Sequence, residues 1–207
     1  MPILVQNARG ESFPLASPAE FEQRLGVKYL PHLAFIDEKT RASVEKRVSR
    51  ALGKGWITPH QKWLGQYYAK GIRNPSGLDL TIRWIDDRIG YGVCTNRDIP
   101  AQAYIGEYTG ILRKRRFFGR WQNHYCFAYN IGEARHTPYT IDAEKEGNYT
   151  RFINHSEERN LEAASVYCDG LMHIIFYALV PIPANAQLCY DYGPDYWKKR
   201  RKPTNLD

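Results

Sequence analysis

The chain reads as an α+β protein, mostly β, in which a helical stretch over residues 1–76 precedes a run of small sheets. Two helix-capping signatures and a basic amphipathic segment before residue 76 predict the first part. Strict alternation of apolar and polar residues from Leu78, then short glycine-punctuated apolar segments as far as Gly193, predict the second. No long helical pattern interrupts that second part, which excludes a doubly wound α/β sheet. With 207 residues, 43% hydrophobic and 25% charged, the chain has the size and balance of one compact domain with some elaboration.

Ser17-Pro18-Ala19-Glu20 sets a capping serine before proline at the first helical position, with glutamate three residues after the cap; Thr58-Pro59-His60-Gln61 repeats the arrangement. Between them Asp37 opens a segment with Val44, Val48, Ala51 and Leu52 at helical spacing, closed by Gly53 and Gly55. Its other face carries Lys39, Arg41, Lys46, Arg47 and Arg50, suited either to solvent or to DNA phosphates. After Asn74-Pro75-Ser76-Gly77 the period changes to two: Leu78, Leu80, Ile82 and Trp84 alternate with Asp79, Thr81 and Arg83. Further strands are expected within residues 103–112, 125–131, 164–168 and 171–180. The resulting map is a helical region 1–76, a β-rich domain 77–194 with an insert at about 113–140, and a basic tail 195–207.

The longest apolar stretch, residues 171–182, is broken by His173 and falls far short of a membrane span, so no membrane partner is expected. The opening residues lack a basic region followed by an apolar one, so no Sec-type leader is expected. Cys94, Cys126, Cys168 and Cys189 are scattered, with no Cys-x-x-Cys, and read as reduced core thiols in a cytoplasmic protein without a metal site. The formal net charge is +7; residues 113–116 and 198–202 hold nine positive charges, leaving −2 elsewhere. These blocks suit a local anionic partner such as nucleic acid or an acidic protein face, and equally a solvated loop and tail.

Four patches carry candidate chemistry: Gly90-Tyr91-Gly92-Val93; Tyr104-Ile105-Gly106-Glu107-Tyr108-Thr109-Gly110; Gly147-Asn148 through Arg151-Phe152-Ile153-Asn154-His155-Ser156, with Asn160 beyond; and Leu188-Cys189-Tyr190-Asp191-Tyr192-Gly193. Taken singly, each has an ordinary structural explanation: a β-turn, core tyrosines with a wet tip, an Asn-His turn, an arginine paired with a carboxylate. In this order they resemble the SET-domain family of protein lysine methyltransferases, over roughly residues 78–197; Tyr139-Thr140-Ile141-Asp142 also matches the stretch leading into the Asn-His motif.

The resemblance implies a β-clip fold of small curved sheets in which the Asn-His and Tyr-Asp-Tyr segments thread together as a pseudoknot. It implies S-adenosylmethionine as the methyl donor, leaving as S-adenosylhomocysteine. Gly90, Tyr91 and Gly92 would lie against the donor's methionine part, and Tyr125, Arg151, Asn154 and His155 would hold it. Tyr192 takes the family's catalytic position, Tyr108 would line the lysine channel, and Tyr190 stands where the family carries phenylalanine or tyrosine, which implies mono- or dimethylation. The cysteine of many relatives after Asn-His-Ser is Glu157 here, and no cysteine follows Gly193, so no zinc is expected and Tyr196 or Trp197 would close the site, Trp197 either on the adenine or anchoring the tail.

This economy is similar to single-domain bacterial SET proteins of the chlamydial type, which implies a histone or histone-like substrate. It also allows export from the producing cell's cytoplasm into a host cell, where residues 198–202 would direct nuclear entry. The alternative is a catalytically idle SET fold binding chromatin or nucleic acid through residues 113–116 and 198–202.

Overall fold

The computed structural model describes residues 3–75, 77–115, 123–132 and 136–198. It is mainly strand, 35% against 24% helix, as expected. Strand β1 (Ile3–Gln6) turns through Asn7, whose side-chain carbonyl accepts from the amides of Arg9 and Glu11, into β2 (Ser12–Leu15). Helix α1 (Pro18–Leu25) starts with the anticipated capping box: Ser17 accepts from the Glu20 amide and the Glu20 carboxylate from the Ser17 amide. Strands β3 (Lys28–Tyr29) and β4 (Ala34–Phe35) lead to α2 (Glu38–Gly53), capped by Asp37. Thr58 and Gln61 form the second box at the head of α3 (Pro59–Tyr67), followed by the short α4 (Ala69–Arg73).

The alternating segment is β5 (Leu80–Asp86), which returns through a turn capped by Asp86 into β6 (Gly90–Thr95); Gly90 has φ of 77°, a left-handed conformation that a side chain would strain. The segment expected at 103–112 is two strands, β7 (Tyr104–Glu107) and β8 (Ile111–Lys114), broken where Tyr108 turns away. Then come β9 (Cys126–Ala128), β10 (Tyr139–Asp142), β11 (Glu146–Gly147), a 3₁₀ turn (Tyr149–Phe152), β12 (Asn154–His155), β13 (Leu161–Cys168), β14 (Leu171–Ala178), β15 (Cys189–Tyr190) and α5 (Pro194–Trp197).

These strands form five small sheets: β2-β1-β5-β6, β4-β8-β10-β9, β13-β14-β7, and the pairs β11-β3 and β12-β15. The helical reading of residues 1–76 is therefore incomplete. Its described residues contain four strands, and three of them run parallel to strands beyond residue 77: β1 with β5, β3 with β11 and β4 with β8. One apolar cluster accordingly joins Ile3, Leu15, Phe21, Val44 and Val48 to Leu112, Ile141 and Phe176. Pieces of two to four residues show no period of their own, because their pairing is decided by distant partners. Among the described residues no helix is long and apolar enough to cross a membrane.

A second cluster, Leu64, Tyr68, Ile72, Val166, Cys168 and Ile175, seats α3 and α4 on β13 and β14. Gly65 permits that contact: a Cβ there would lie 1.8 Å from the Tyr167 carbonyl oxygen. Gly65→Ala is expected to destabilise the fold by about 3 kcal/mol in chemical denaturation, since backbone must move to admit the methyl. Gly53→Ala, where nothing lies within 4 Å, should change stability by under about 1 kcal/mol.

Candidate active site

The segment Tyr149–Phe152 is held by Asn148, whose side-chain oxygen accepts from the Thr150 amide at 3.0 Å and whose amide nitrogen donates to the Glu107 carbonyl at 2.9 Å. This ties the Asn-His segment to the end of β7, next to Tyr108. Beyond it β12 runs parallel to β15, Asn154 opposite Cys189 and His155 opposite Tyr190. Asn160 locks the crossing: its amide nitrogen donates to the Gln187 carbonyl at 2.8 Å and its oxygen accepts from the Cys189 amide at 2.9 Å. The two motifs, more than thirty residues apart, are thus held side by side, as the pseudoknot expectation requires.

Strand β6 forms the adjoining wall. The Asn154 side chain donates to the Tyr91 carbonyl at 3.2 Å, and a Cβ on Gly92 would meet Gln187 Nε2 at 2.8 Å and Asn154 Nδ2 at 2.9 Å. The second glycine is therefore required by close approach. The Tyr91 ring meets Trp84 and Phe152 edge to face. On the far side the Tyr192 amide donates to His155 Nδ1 at 3.2 Å, which directs the hydrogen of a neutral ring to Nε2. Trp197 covers this corner, its ring 4.9 Å from His155 and stacked 6.1 Å from Tyr192. Its buried indole nitrogen has no hydrogen-bond acceptor among the described residues.

The tyrosines gather behind these residues. Tyr190 lies 4.7 Å from Tyr192 and 4.8 Å from Phe176, while Phe127 bridges Tyr190 and Tyr108 at 6.2 and 5.3 Å between ring centroids. Tyr196 meets the Tyr192 ring edge-on at 4.6 Å. Two hydroxyls are committed as donors: Tyr108 to the Tyr125 carbonyl at 2.7 Å, Tyr192 to the Ile153 carbonyl at 2.8 Å. Burial pushes the hydroxyls of Tyr108, Tyr190 and Tyr192 well above the ordinary phenol value, so none is a phenolate at neutral pH. With their hydrogens spent, the oxygens of Tyr108 and Tyr192 present only lone pairs to whatever enters.

All the candidate residues thus converge, but Arg151 does so as a strut. It is 8% exposed; Nε donates to the Ala143 carbonyl at 2.6 Å and Nη2 to that of Glu144 at 3.2 Å. Its guanidinium stacks 3.7 Å over Tyr125 and 4.6 Å from Phe152, so it fixes the ring whose carbonyl receives the Tyr108 hydroxyl. The sequence reading missed Phe127 and Phe176. Phe127 is two residues from Tyr125 and so on its face of the chain, whereas Phe176 lies inside a continuous apolar run with nothing to single it out.

The first basic block is partly consumed by the fold. Arg113 reaches Asp142 at 2.6 Å with 18% of its side chain exposed, pinning β8 to β10, and Arg115 Nε donates to the Tyr139 carbonyl. Of the second block only Lys198, which is exposed, is described; residues 116 and 199–202 lie outside the described residues. Among the described residues no three His, Cys, Asp or Glu side chains come together as metal ligands.

The SET-domain family model matches residues 90–193, half of the chain. The H3 lysine-9-specific histone-lysine N-methyltransferase SUVH5 of Arabidopsis thaliana is 36% identical over 108 residues, covering 50% of this chain and 14% of the relative. The histone-lysine N-methyltransferase EHMT1 of Mus musculus is 32% identical over 119 residues, covering 55% of this chain and 9% of the relative. The chain therefore spans only a small part of these relatives' lengths. The fold is also that found in the crystal structure of an active polycomb repressive complex 2, with a TM-score of 0.52 at 23% identity, covering 64% of this chain and 17% of the other. The threaded motifs, the tyrosine cluster and the family match agree: this chain belongs to the SET-domain family.

Proposed function

We propose that the chain is a protein-lysine N-methyltransferase that takes its methyl group from S-adenosylmethionine and acts on a basic protein tail of the histone or histone-like kind. The observation that carries this reading is the pair of tyrosine oxygens, on Tyr108 and Tyr192, stripped of donor capacity and set among aromatic rings. Such a site favours a partly cationic alkyl group and an amine approaching it.

The residues present fit the donor. Open space beside the Gly90 backbone, a buried indole N–H in want of an acceptor, and the rings of Tyr91 and Trp197 suit an amino-acid end and a purine. Gly90, Tyr91, Gly92, Asn154, His155 and Trp197 would hold it, with Arg151 bracing the wall through Tyr125. When bound, S-adenosylmethionine supplies a sulfonium methyl group open to in-line displacement by a neutral amine. Phe127, Phe176, Tyr108 and Tyr190 would sheathe the lysine stem and exclude water, which lowers the ammonium pKa. Tyr108, Tyr190 and Tyr192 are not ionised to act as a base, so the ammonium proton leaves to bulk water before the lysine stem fills the channel. The Tyr192 and Tyr108 oxygens then orient the amine by accepting its hydrogens.

Tyr190 decides how many methyl groups fit. It is 7% exposed and wedged between Phe176 and Tyr192, so its hydroxyl occupies space that a methylated nitrogen needs in order to turn. Tyr190→Phe is expected to move the product toward a higher methylation state on the same peptide, read by mass spectrometry; an unchanged product distribution overturns the assignment. The function itself is tested by labelled methyl transfer to core histones and bacterial histone-like proteins, with donor binding followed by calorimetry. Absence of both label and binding would leave a catalytically idle SET fold.

A further inference from the structure

The outer face of α3 carries three exposed aromatic rings. His60, Trp63 and Tyr67 lie one above another on the helix, all exposed, Trp63 and Tyr67 each at 59%. Their rings are stacked in series, with centroids 6.3 and 5.2 Å apart and planes within 17°. The opposite face of the helix is fastened to the sheet: Gly65 lies against the Tyr167 backbone, and the Tyr68 hydroxyl donates to the Gln102 carbonyl at 2.9 Å. The ladder is thus an exposed aromatic stack on a helix fastened by its other face, with the Tyr67 ring alone also meeting the core, edge-on to Tyr68 at 4.8 Å.

The charge along this part of the chain is one-sided. Between residues 38 and 73 there are nine lysines and arginines against two glutamates, a net of +7, so the rest of the chain sums to zero. Arg41 and Arg73 are paired with Glu45 and Asp169, while Lys46, Arg50, Lys62 and Lys70 stand exposed on the same three helices. Charge of this sign selects a polyanion. The ring ladder selects, among polyanions, one with flat faces of its own. An acidic polypeptide supplies the charge without regularly spaced rings, and duplex nucleic acid keeps its base faces stacked on one another.

We propose that α3 and α4 present a binding surface for single-stranded nucleic acid, with phosphates on Lys62 and Lys70 and unpaired bases on the Trp63–Tyr67 ladder. This surface uses none of the residues assigned to methyl transfer, so the proposal stands or falls apart from that reading.

The test is fluorescence anisotropy of the full chain with a labelled mixed-sequence single strand of about 20 nucleotides, the same sequence as duplex, and heparin and polyglutamate as competitors, over a range of salt. The single strand is expected to bind at least about tenfold tighter than the duplex. Trp63→Ala with Tyr67→Ala should weaken it about tenfold or more while leaving the salt dependence unchanged. Lys62→Gln with Lys70→Gln should instead flatten the slope of log K against log salt by about 1.4. All four side chains are exposed, so the melting midpoint should stay within a few degrees of wild type and serve as the folding control. Duplex bound as tightly as the single strand, ring variants without effect, full displacement by polyglutamate at equal charge, or no binding at all would each overturn the proposal.

Discussion

Replacing Tyr192 by phenylalanine is expected to lower the rate of methyl transfer by about 10²–10³-fold while the protein remains folded. The hydroxyl does two things in this structure. Its hydrogen satisfies the Ile153 carbonyl, immediately before Asn154, and its oxygen is thereby held in one orientation as an acceptor. Removing it costs roughly 1 kcal/mol of stability through the lost hydrogen bond. The kinetic loss is larger because an oriented dipole at the reacting centre is replaced by a C–H edge. Donor affinity should change little, since Tyr192 touches the His155 corner through its backbone amide, which the variant keeps. A kcat within a few-fold of wild type would show that this oxygen does not face the reaction; loss of donor binding as well would place the defect in His155 and its surroundings.

The second large effect lies in the Glu107–His173 pair. His173 Nδ1 lies 2.7 Å from Glu107 Oε1 and Nε2 lies 3.2 Å from the Cys168 carbonyl, the two side chains being 12% and 4% exposed. Both ring nitrogens face acceptors, so the arrangement calls for the doubly protonated ring. Burial acts against that charge, but the Glu107 hydrogen bond and charge outweigh it and raise the imidazole above its ordinary value. A raised folded-state value means that the pair's contribution is fully present below about pH 6.5 and is lost as pH rises through the raised value. Denaturation at about pH 6 and about pH 9 should show wild type losing stability across that window, and Glu107→Gln should flatten the dependence. His173→Ala, which strands a buried carboxylate, is expected to cost about 3–5 kcal/mol, and a paired His173→Leu, Glu107→Met change to recover much of it. If His173→Ala costs no more than the paired change, Glu107 is not held as a carboxylate.

What the sequence discloses here is what is decided locally. Ser17 with Glu20 and Thr58 with Gln61 are read correctly because a capping box closes within four residues. The alternation around Ile82 is legible as a strand, but its burial does not alternate: Leu80, Thr81 and Ile82 are all buried, and Arg83 and Trp84 are both half-buried. The site motifs were legible as text, and their residues do converge. Strands β3 and β4 were not legible: two residues each, they owe their conformation to Glu146 and Ile111 across the molecule. That Arg151 donates to the carbonyls of Ala143 and Glu144 is not legible either, since no local pattern states that those carbonyls will face it. Phe127 and Phe176 were missed because an aromatic residue in a strand looks the same whether it lines a channel or fills a core.

The parallel pairings also set the order in which the molecule can be built. Lys28 must wait for Glu146, Ala34 for Ile111, Ile3 for Leu80, and Asn154 for Cys189. During synthesis the amino-terminal third leaves the ribosome with strand edges that have nothing to pair with, and loop closure precedes every contact that rewards it. Folding should accordingly be slow for a chain of this size, with exposed edges that invite chaperones or aggregation until the carboxy-terminal third arrives. The tyrosine cluster, which needs Tyr190 and Tyr192 in place, cannot assemble before β15 has paired with β12.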